Sequence, residues 1–213
     1  MIGGMTPDTT TFTDWLSDRA RERDAAGLHR ETVVRGDAGP EHVVDLASND
    51  YLGLRRHPRV IDAARAAAGS GGGAGASRLV TGTLPIHAEL EDRLAALVGT
   101  PAALVLSTGY HANLAATTAL ADADTLIVSD AHCHASLIDG MRLSRGSVQV
   151  ARHRDLGHVE ELLTARVGRD GEPRGRAMVV VESVYSVLGD AASLAPLPAA
   201  DDPVALWEAH SGQ

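Results

Sequence analysis

The sequence contains no lysine, because all 19 residues in its combined lysine and arginine count are arginine. No side chain can therefore supply the primary amine through which many enzymes bind carbonyl compounds covalently. Cysteine occurs once, at Cys133, which excludes an intrachain disulfide and fits a reducing cytoplasm. Aromatic residues are scarce as well, whereas alanine and glycine are abundant. That composition suits helices packed closely against a sheet.

Excess positive charge and long apolar runs are also missing. The net charge is -9 at pH 7, and binding phosphates over a large area needs excess basic residues, so we expect no nucleic-acid partner and no membrane surface. No window approaches the ~18 apolar residues of a membrane span, and residues 1–10 lack the apolar core of a signal peptide. We expect a cytoplasmic protein that makes one large domain or part of a larger one.

Apolar runs alternate with helical patterns through the second half of the sequence. The runs are AALVL (102–106), TLIVS (125–129), SVQVA (147–151) and AMVVV (177–181). They are mostly continuous, which is typical of strands covered on both faces. The rhythm predicts an α/β fold with a mostly parallel sheet and helices on both faces.

Three helices are expected before this sheet. Residues 13–26 predict an exposed helix rich in Asp and Arg. Pro58 begins a second helix and Pro85 a third, which ends at Gly99. The segment 42–54 is expected to be extended and to end in turn residues.

Polar residues follow each of the four predicted strands. They are Ser107 to Tyr110, then Asp130, His132 and His134, then His153 and Asp155, then Glu182, Ser183 and Ser186. Ligands of open parallel sheets sit beyond the carboxyl ends of the strands. The sequence therefore predicts a site at this edge of the sheet.

Three segments allow more than one interpretation. The stretch Ser107 to Tyr110 fits an ordinary strand-to-helix turn or a cup for an anion at a helix N-terminus. Asp130, His132 and His134 have the spacing of a metal-dependent hydrolase or are hydrogen-bonding residues at a strand end. The glycine-rich residues 71–75 follow a helix, whereas a dinucleotide fingerprint follows a strand, so that interpretation is disfavoured. The segment is then either a flexible connector or a loop that closes over a ligand, with Ser77 and Arg78 as polar contacts.

Six segments together resemble one enzyme family. They are LASNDYLGL (46–54), GAGASRLVTG (73–82), HAELEDRLAAL (87–97), LSTGYHANL (106–114), SDAHCHASLIDGMRLS (129–144) and VVESVYSVLGD (180–190). Their order and spacing are similar to those of the α-oxoamine synthases, pyridoxal-phosphate enzymes of the aminotransferase-like (type I) fold. The resemblance implies a helical arm over 1–45, a partial cofactor-binding large domain over 46–198 and an atypical, possibly frame-shifted tail over 199–213.

The resemblance also implies roles for individual residues. Gly109 and Tyr110 match the turn that contacts the cofactor phosphate, and Ser186 matches a serine that bonds its phenolic oxygen. His134 matches the histidine that stacks on the pyridine ring, and we expect it to serve in catalysis and substrate binding as well. His210 matches a further cofactor-binding histidine. A substrate-carboxylate position falls on His29, with Arg30 beside it.

The reaction implied by the family joins an amino acid to an acyl thioester with loss of carbon dioxide. The motifs favour a member that uses alanine and a pimeloyl thioester, carried by coenzyme A or acyl carrier protein, and that forms a homodimer. The alternatives are a member of the glycine C-acetyltransferase or aminolevulinate synthase type, a non-catalytic partner subunit, and the metal-dependent hydrolase.

The sequence departs from the family in three ways. The family attaches its cofactor to a lysine beyond the serine matched by Ser186, and this chain has no lysine. Trp207 stands where the family has the aspartate that pairs with the pyridine nitrogen, and Leu188 also replaces a usual aspartate. We therefore expect the chain to lack synthase activity by itself.

Overall fold

The computed structural model describes residues 11–32, 34, 45–166 and 174–192, together with the backbone of strand 204–209. Its contacts divide the chain into two units, 1–48 and 49–213. In the first unit, helix α1 spans Phe12–Ala25 and buries none of its residues. Thr11 caps it, because its Oγ1 accepts a hydrogen bond from the Asp14 N–H at 3.1 Å. The exposed N-terminal helix predicted from the sequence is confirmed.

The segment 42–54 ends in turn residues as predicted, but its described part before that end is not a strand. Residues 42–44 lie outside the described residues, and residues 45–53 form turns. The cause is local hydrogen bonding by aspartate, a residue that competes well for nearby backbone N–H groups. Asp45 accepts from the Ala47 N–H at 3.0 Å, and Asp50 accepts from the Arg55 N–H at 3.2 Å.

The second unit begins with short helices joined by glycine-rich turns. A 3₁₀ turn covers Leu54–Arg56, α2 spans Pro58–Ala68, a π-type turn covers Arg78–Gly82 and α3 spans Pro85–Val98. Gly99 ends α3 in the left-handed conformation, with φ of 73°. Both helix starts at proline, and the end at Gly99, are as the sequence predicts.

The remaining helices alternate with strands. They are α4 (Gly109–Leu120), β1 (Thr125–Asp130), α5 (Ala135–Leu143), β2 (Ser147–Ala151), α6 (Leu156–Thr164), β3 (Arg176–Glu182), β4 (Val184–Tyr185), β5 (Asp190–Ala191) and β6 (Val204–Ala209). Strands β2, β1, β3 and β6 form a parallel sheet in that order, and β4 pairs with β5 as an antiparallel hairpin.

The parallel sheet is covered on both faces, because neighbouring residues of β1 join different cores. Ile127 packs with Leu137 and Met141 of α5, whereas Val128 packs with Val159 of α6. All six residues of β1 are buried. The predicted α/β architecture is thereby confirmed, and the strand ends carry their polar residues to one edge.

One predicted strand is absent from the described structure. Residues 102–106 form no regular strand, although their composition is apolar. Side chains satisfy this backbone instead, since the Val105 N–H donates to Glu91 Oε1 at 2.9 Å and the Val105 carbonyl accepts from Arg78 at 2.9 Å. Arg78 also forms an ion pair with Glu91 at 2.6 Å, and these bonds lower the pKa of Glu91 to about 2. The Arg78 guanidinium is thus used in bonds to Glu91 and Val105 within the protein rather than in binding a ligand.

Candidate functional site

Helix α4 begins with two backbone N–H groups that have no acceptor within the helix. Thr108 caps the helix, because its Oγ1 accepts from the His111 N–H at 3.0 Å and its carbonyl accepts from the Ala112 N–H at 3.0 Å. The N–H groups of Gly109 and Tyr110 precede these and have no acceptor within the helix. Among the described residues, nothing lies within 4 Å of where a Gly109 Cβ would stand. Open space beside first-turn donors suits an anion.

The next helix, α5, begins at His134, which serves as its cap. The His134 Nδ1 accepts from the Ser136 N–H at 3.1 Å and lies 2.7 Å from the Ser136 hydroxyl. The backbone N–H of His134 donates to the carboxylate of Glu182 at the end of β3. His134 remains exposed. Its ring is therefore held by Ser136 at Nδ1, and the rest of the ring can contact a ligand.

Helices α4 and α5 pack closely enough to bring these two starts together. The Asn113 side-chain amide donates to the Ser136 hydroxyl at 2.9 Å, and the Tyr110 hydroxyl donates to Asp139. The bond to Asp139 raises the pKa of Tyr110. At Gly140 of α5, a Cβ would stand 2.0 Å from the Thr117 Oγ1 of α4, so only glycine permits this approach. The first-turn donors of α4 and the His134 ring therefore belong to one region.

A second histidine at this edge is held by charge. His153 follows β2, and its Nδ1 lies 2.7 Å from Asp130 at the end of β1. Its Nε2 lies 3.1 Å from Asp190 of β5. The hydrogen bond to Asp130 is the main reason that the pKa of His153 is raised, with Asp190 contributing in the same direction against burial. A carboxylate at each nitrogen favours the imidazolium form of His153.

The two carboxylates are ionised in spite of burial. Burial alone would raise the pKa of Asp130, but bonds from the Arg154 N–H, His153 and the His132 N–H outweigh it and lower that pKa. Burial likewise opposes the ionisation of Asp190, whose pKa is lowered by its bonds to His153 and Arg154. The Asp190 Oδ1 is buried without a hydrogen-bond partner among the described residues.

Aromatic rings flank the His153 imidazole. The His132 and Tyr185 rings each lie edge-on to it, with centroids 4.6 Å away. Tyr185 is 2% exposed, and its hydroxyl oxygen accepts from the Glu182 N–H at 3.4 Å. Both nitrogens of His153 thus lie within hydrogen-bond distance of carboxylates, and the contacts with Asp190 and Tyr185 join the hairpin of β4 and β5 to the sheet edge.

The metal-ligand interpretation of Asp130, His132 and His134 gains no support. Within the described ranges, no group of three or more His, Cys, Asp or Glu side chains is arranged to hold a metal ion. The Asp130 carboxylate is occupied by His153 and two backbone N–H groups. His134 turns its Nδ1 to Ser136, away from that set.

The sequence also predicts site residues elsewhere in the chain. Ser186 is exposed in the turn between β4 and β5. His29 belongs to the first unit, where its Nδ1 lies 2.7 Å from Asp24, and Arg30 beside it is exposed. His210 lies outside the described residues. Asp155 is structural, because it caps α6 by accepting from the His158 N–H at 2.9 Å.

Sequence reasoning missed four residues that build this edge. They are Asn113, Ser136, Asp139 and Asp190. Ser136 stands two residues after His134, which is a local signal for a helix cap. Asn113, Asp139 and Asp190 contact residues distant in sequence, so spacing alone gives no sign of them.

The comparison with protein families decides the relationship. Residues 41–200 match the family model for aminotransferases of class I and II. The chain belongs to that family. The family-level resemblance and the aminotransferase-like fold predicted from the sequence are both confirmed.

Similar proteins add detail to that membership. The chain is 50% identical over 186 residues to the 8-amino-7-oxononanoate synthase of Mycolicibacterium smegmatis, a match over 87% of this chain and 47% of that protein. It is 46% identical over 195 residues to the enzyme of the same name from Mycobacterium ulcerans, covering 91% of this chain and 48% of that protein. The chain therefore spans about half the length of the curated relatives it matches.

Solved structures resemble the fold over a similar portion. A serine palmitoyltransferase from S. paucimobilis, a lysine-to-alanine variant with a bound pyridoxal phosphate–myriocin adduct, superposes with a TM-score of 0.73 at 28% identity, over 94% of this chain and 54% of that one. The 8-amino-7-oxononanoate synthase of Francisella tularensis superposes with a TM-score of 0.63 at 24% identity, over 79% of this chain and 45% of that one. The second likeness supports the fold alone.

Proposed function

We propose that the protein is a pyridoxal-phosphate-dependent acyltransferase of the 8-amino-7-oxononanoate synthase type. It condenses alanine with a pimeloyl thioester, with loss of carbon dioxide, in biotin biosynthesis. The observation that carries the proposal is the 50% identity over 186 residues to relatives of that name. The region that includes the start of α4 and His134 supports it, because both parts suit the cofactor.

Three features of the described residues suit pyridoxal phosphate. The N–H groups of Gly109 and Tyr110, with open space beside Gly109, would bind the phosphate. The exposed His134 ring would lie against the pyridine ring, and the exposed Ser186 hydroxyl would bond the phenolic oxygen. When bound, the cofactor supplies an electron sink for the carbanion left by loss of carbon dioxide.

The chain's own residues would then bind and orient. Ser136 holds the His134 ring through Nδ1, and Glu182 holds the His134 backbone. We further propose that His29 or Arg30 binds the substrate carboxylate and that His210 contributes to cofactor binding. The acyl carrier is coenzyme A or acyl carrier protein, and the active enzyme is a cytoplasmic homodimer.

The absence of lysine limits what these 213 residues can do alone. Neither covalent attachment of the cofactor nor proton transfer by a lysine is available to them. Noncovalent binding is still expected, and the lysine-to-alanine serine palmitoyltransferase with its bound pyridoxal phosphate adduct supports that expectation. The isolated chain should bind the cofactor and should not turn over substrate.

The proposal is tested by supplying the segment that the relatives have beyond the match. The chain is joined to the C-terminal part of the Mycolicibacterium smegmatis enzyme and assayed with alanine and pimeloyl-coenzyme A. Condensation is expected in the chimera and not in the chain alone. A chimera carrying His134→Ala should lose most of the activity, whereas His57→Ala, at the start of α2, should not.

A panel of substrates separates this enzyme from its relatives. The same chimera is offered glycine with acetyl- or succinyl-coenzyme A, and serine with palmitoyl-coenzyme A. Preference for alanine and the pimeloyl thioester is the expected result. Preference for either glycine reaction would assign the protein to the glycine C-acetyltransferase or aminolevulinate synthase type instead.

A second candidate is a non-catalytic partner subunit, a role for which the 213 residues need no lysine. Such a chain would associate with a lysine-bearing member of the family and leave the covalent chemistry to it. The test is to purify the tagged chain from its own cells and to identify by mass spectrometry what accompanies it. Stoichiometric recovery of a lysine-bearing homologue would support this role, and recovery of the chain alone would reject it.

A further inference from the structure

Ser136 places two hydrogen-bond donors at one nitrogen of the His134 ring. Its backbone N–H donates to His134 Nδ1 at 3.1 Å, and its hydroxyl oxygen lies 2.7 Å from the same atom. A backbone N–H can only donate, so Nδ1 must be an acceptor and cannot carry a hydrogen. The hydrogen of a neutral His134 ring therefore lies on Nε2.

The Ser136 hydroxyl has its direction fixed from the other side. Asn113 of α4 donates its side-chain N–H to the Ser136 oxygen at 2.9 Å. Since that oxygen already accepts from Asn113, its single hydrogen is available for Nδ1. Ser136 is 0% exposed, so bulk water does not compete for either bond. Each side chain therefore donates a hydrogen bond to the next, from Asn113 to Ser136 and from Ser136 to His134.

We propose that Asn113 and Ser136 are positioning residues that fix the His134 ring in the tautomer with its hydrogen on Nε2. The relay, meaning Asn113, Ser136 and His134, holds Nδ1 and leaves Nε2–H as the remaining donor of the ring. The identity of the group that contacts this donor and the exposed ring face rests on the proposed function, in which His134 lies against the cofactor. The relay itself does not depend on that function.

The chain contains a matched histidine without the relay. His57 caps α2, and its Nδ1 accepts from the N–H of Arg59, two residues on, at 3.3 Å. His134 and Ser136 repeat this spacing at the start of α5. Arg59 has no hydroxyl, so the backbone contribution is common to both caps and the hydroxyl contribution is present only at His134.

The tautomer is measured by long-range ¹H–¹⁵N correlation spectra of the ¹⁵N-labelled full chain without cofactor. The His134 Nδ1 signal is expected at the position of an unprotonated ring nitrogen, and Nε2 at that of a protonated one. His57 provides a reference in the same spectrum. A wild-type His134 ring with its hydrogen on Nδ1 would overturn the proposal.

Two variants test the relay from opposite ends. Asn113→Asp replaces the donor by a carboxylate, which draws the Ser136 hydrogen to itself. The ratio of Nδ1–H to Nε2–H forms of His134 should then rise by roughly 2- to 10-fold, the range that one hydrogen bond supports. Ser136→Ala removes the hydroxyl and keeps the backbone N–H, so His134 should become like His57. His57 should not change in either variant.

The outcomes are decisive for the relay and separate from those for the proposed function. An unchanged His134 ratio in both variants would reject the relay. If Asn113→Asp does not fold, Ser136→Ala decides alone. Binding of pyridoxal phosphate is followed separately by its absorbance. A relay that holds in a chain that binds no pyridoxal phosphate would reject the proposed function and keep this inference.

Discussion

His134 and His153 follow neighbouring strands of the same parallel sheet, yet their surroundings are built from different chemistry. The His134 ring is contacted at Nδ1 by a hydroxyl and a backbone N–H, groups that carry no net charge. The His153 ring lies between two carboxylates and between two further rings. The first arrangement leaves one ring nitrogen available, and the second leaves none.

This difference separates a binding residue from a structural one more clearly than residue type does. Both histidines stand at strand ends, where ligands of parallel sheets bind. An imidazole ring with a carboxylate at each nitrogen has both nitrogens satisfied by the protein. A ring held through one nitrogen and exposed elsewhere has bonding capacity left over. This difference supports the proposal that His134 contacts the cofactor, whereas the hydrogen bonds of His153 lie within the protein.

The largest effect is expected from Asp130, which is the centre of the His153 arrangement. Asp130→Ala removes the acceptor for the His153 imidazolium and for the N–H groups of His132 and Arg154. Because Asp130 is buried and accepts all three of these bonds, the free energy of unfolding should fall by about 3 kcal/mol when it is removed. Asp62→Ala is the control, since the exposed Asp62–Arg65 pair should be worth less than ~1 kcal/mol. Urea unfolding at pH 7 measures both, and equal losses would contradict the assignment.

The second-largest effect on the free energy of unfolding is expected from Gly140, where α5 packs against α4 and supports His134. Gly140→Ala places a methyl group against Thr117 and separates α4 from α5, on which the relay depends. Overpacking of this kind should lower the free energy of unfolding by about 1–3 kcal/mol. Gly157→Ala in α6 is the matched control, because its new methyl meets only Asp155 at 3.4 Å.

The Gly157→Ala control is itself expected to change the free energy of unfolding, in the opposite direction. Replacing a helical glycine by alanine without a clash should raise the free energy of unfolding by about 0.5–1 kcal/mol. Opposite signs for the two glycines in the same urea titration are therefore expected. A stabilised Gly140→Ala variant would show that α4 and α5 do not approach as described.

A smaller effect distinguishes the two histidines by pH. The pKa of His153 is raised in the folded chain, so its contribution to stability is fully present below the ordinary histidine pKa of about 6.5 and is lost as pH rises through the folded value. The free energy of unfolding should decline over that window in the wild-type chain. The decline should be weaker in His153→Gln and should remain in His134→Gln. A decline that disappears with His134→Gln instead would reverse the comparison.

The smallest effect is expected at a hydroxyl–imidazole contact on the surface. Ser107 Oγ lies 2.8 Å from His111 Nδ1, similar to the contact in the relay, but both residues are exposed. Ser107→Ala should change the free energy of unfolding by less than about 0.5 kcal/mol, and it should leave the His134 tautomer unaltered. A larger loss in thermal or urea unfolding would show that burial does not distinguish the two contacts.

The sequence predicts the elements better than it predicts the contacts between them. Pro58, Pro85 and Gly99 mark helix ends that the structure keeps, because they act through local backbone geometry. The run at 102–106 fails as a strand because strand formation needs a neighbour, and here Glu91 and Arg78 satisfy the backbone of Val105. Apolar composition alone carries no information about that competition.

The residues of the candidate site likewise differ in whether the sequence alone predicts them. Gly109, Tyr110 and His134 are recoverable from strand ends and motifs. The relay is not, because Asn113 and Ser136 are 23 residues apart and meet only when α4 packs on α5. Asp190 reaches His153 across 37 residues for the same reason. Tertiary packing, rather than spacing, decides which polar residues become partners.

The account is tested most directly by titrating pyridoxal phosphate into the ¹⁵N-labelled chain and following both histidine rings in one spectrum. The His134 ring signals should move and saturate at about one equivalent, as expected for a single site. The His153 signals should stay at the positions of a doubly protonated ring. Movement of His153 with His134 unaffected would contradict the division of roles, and no movement of either ring would reject the cofactor site.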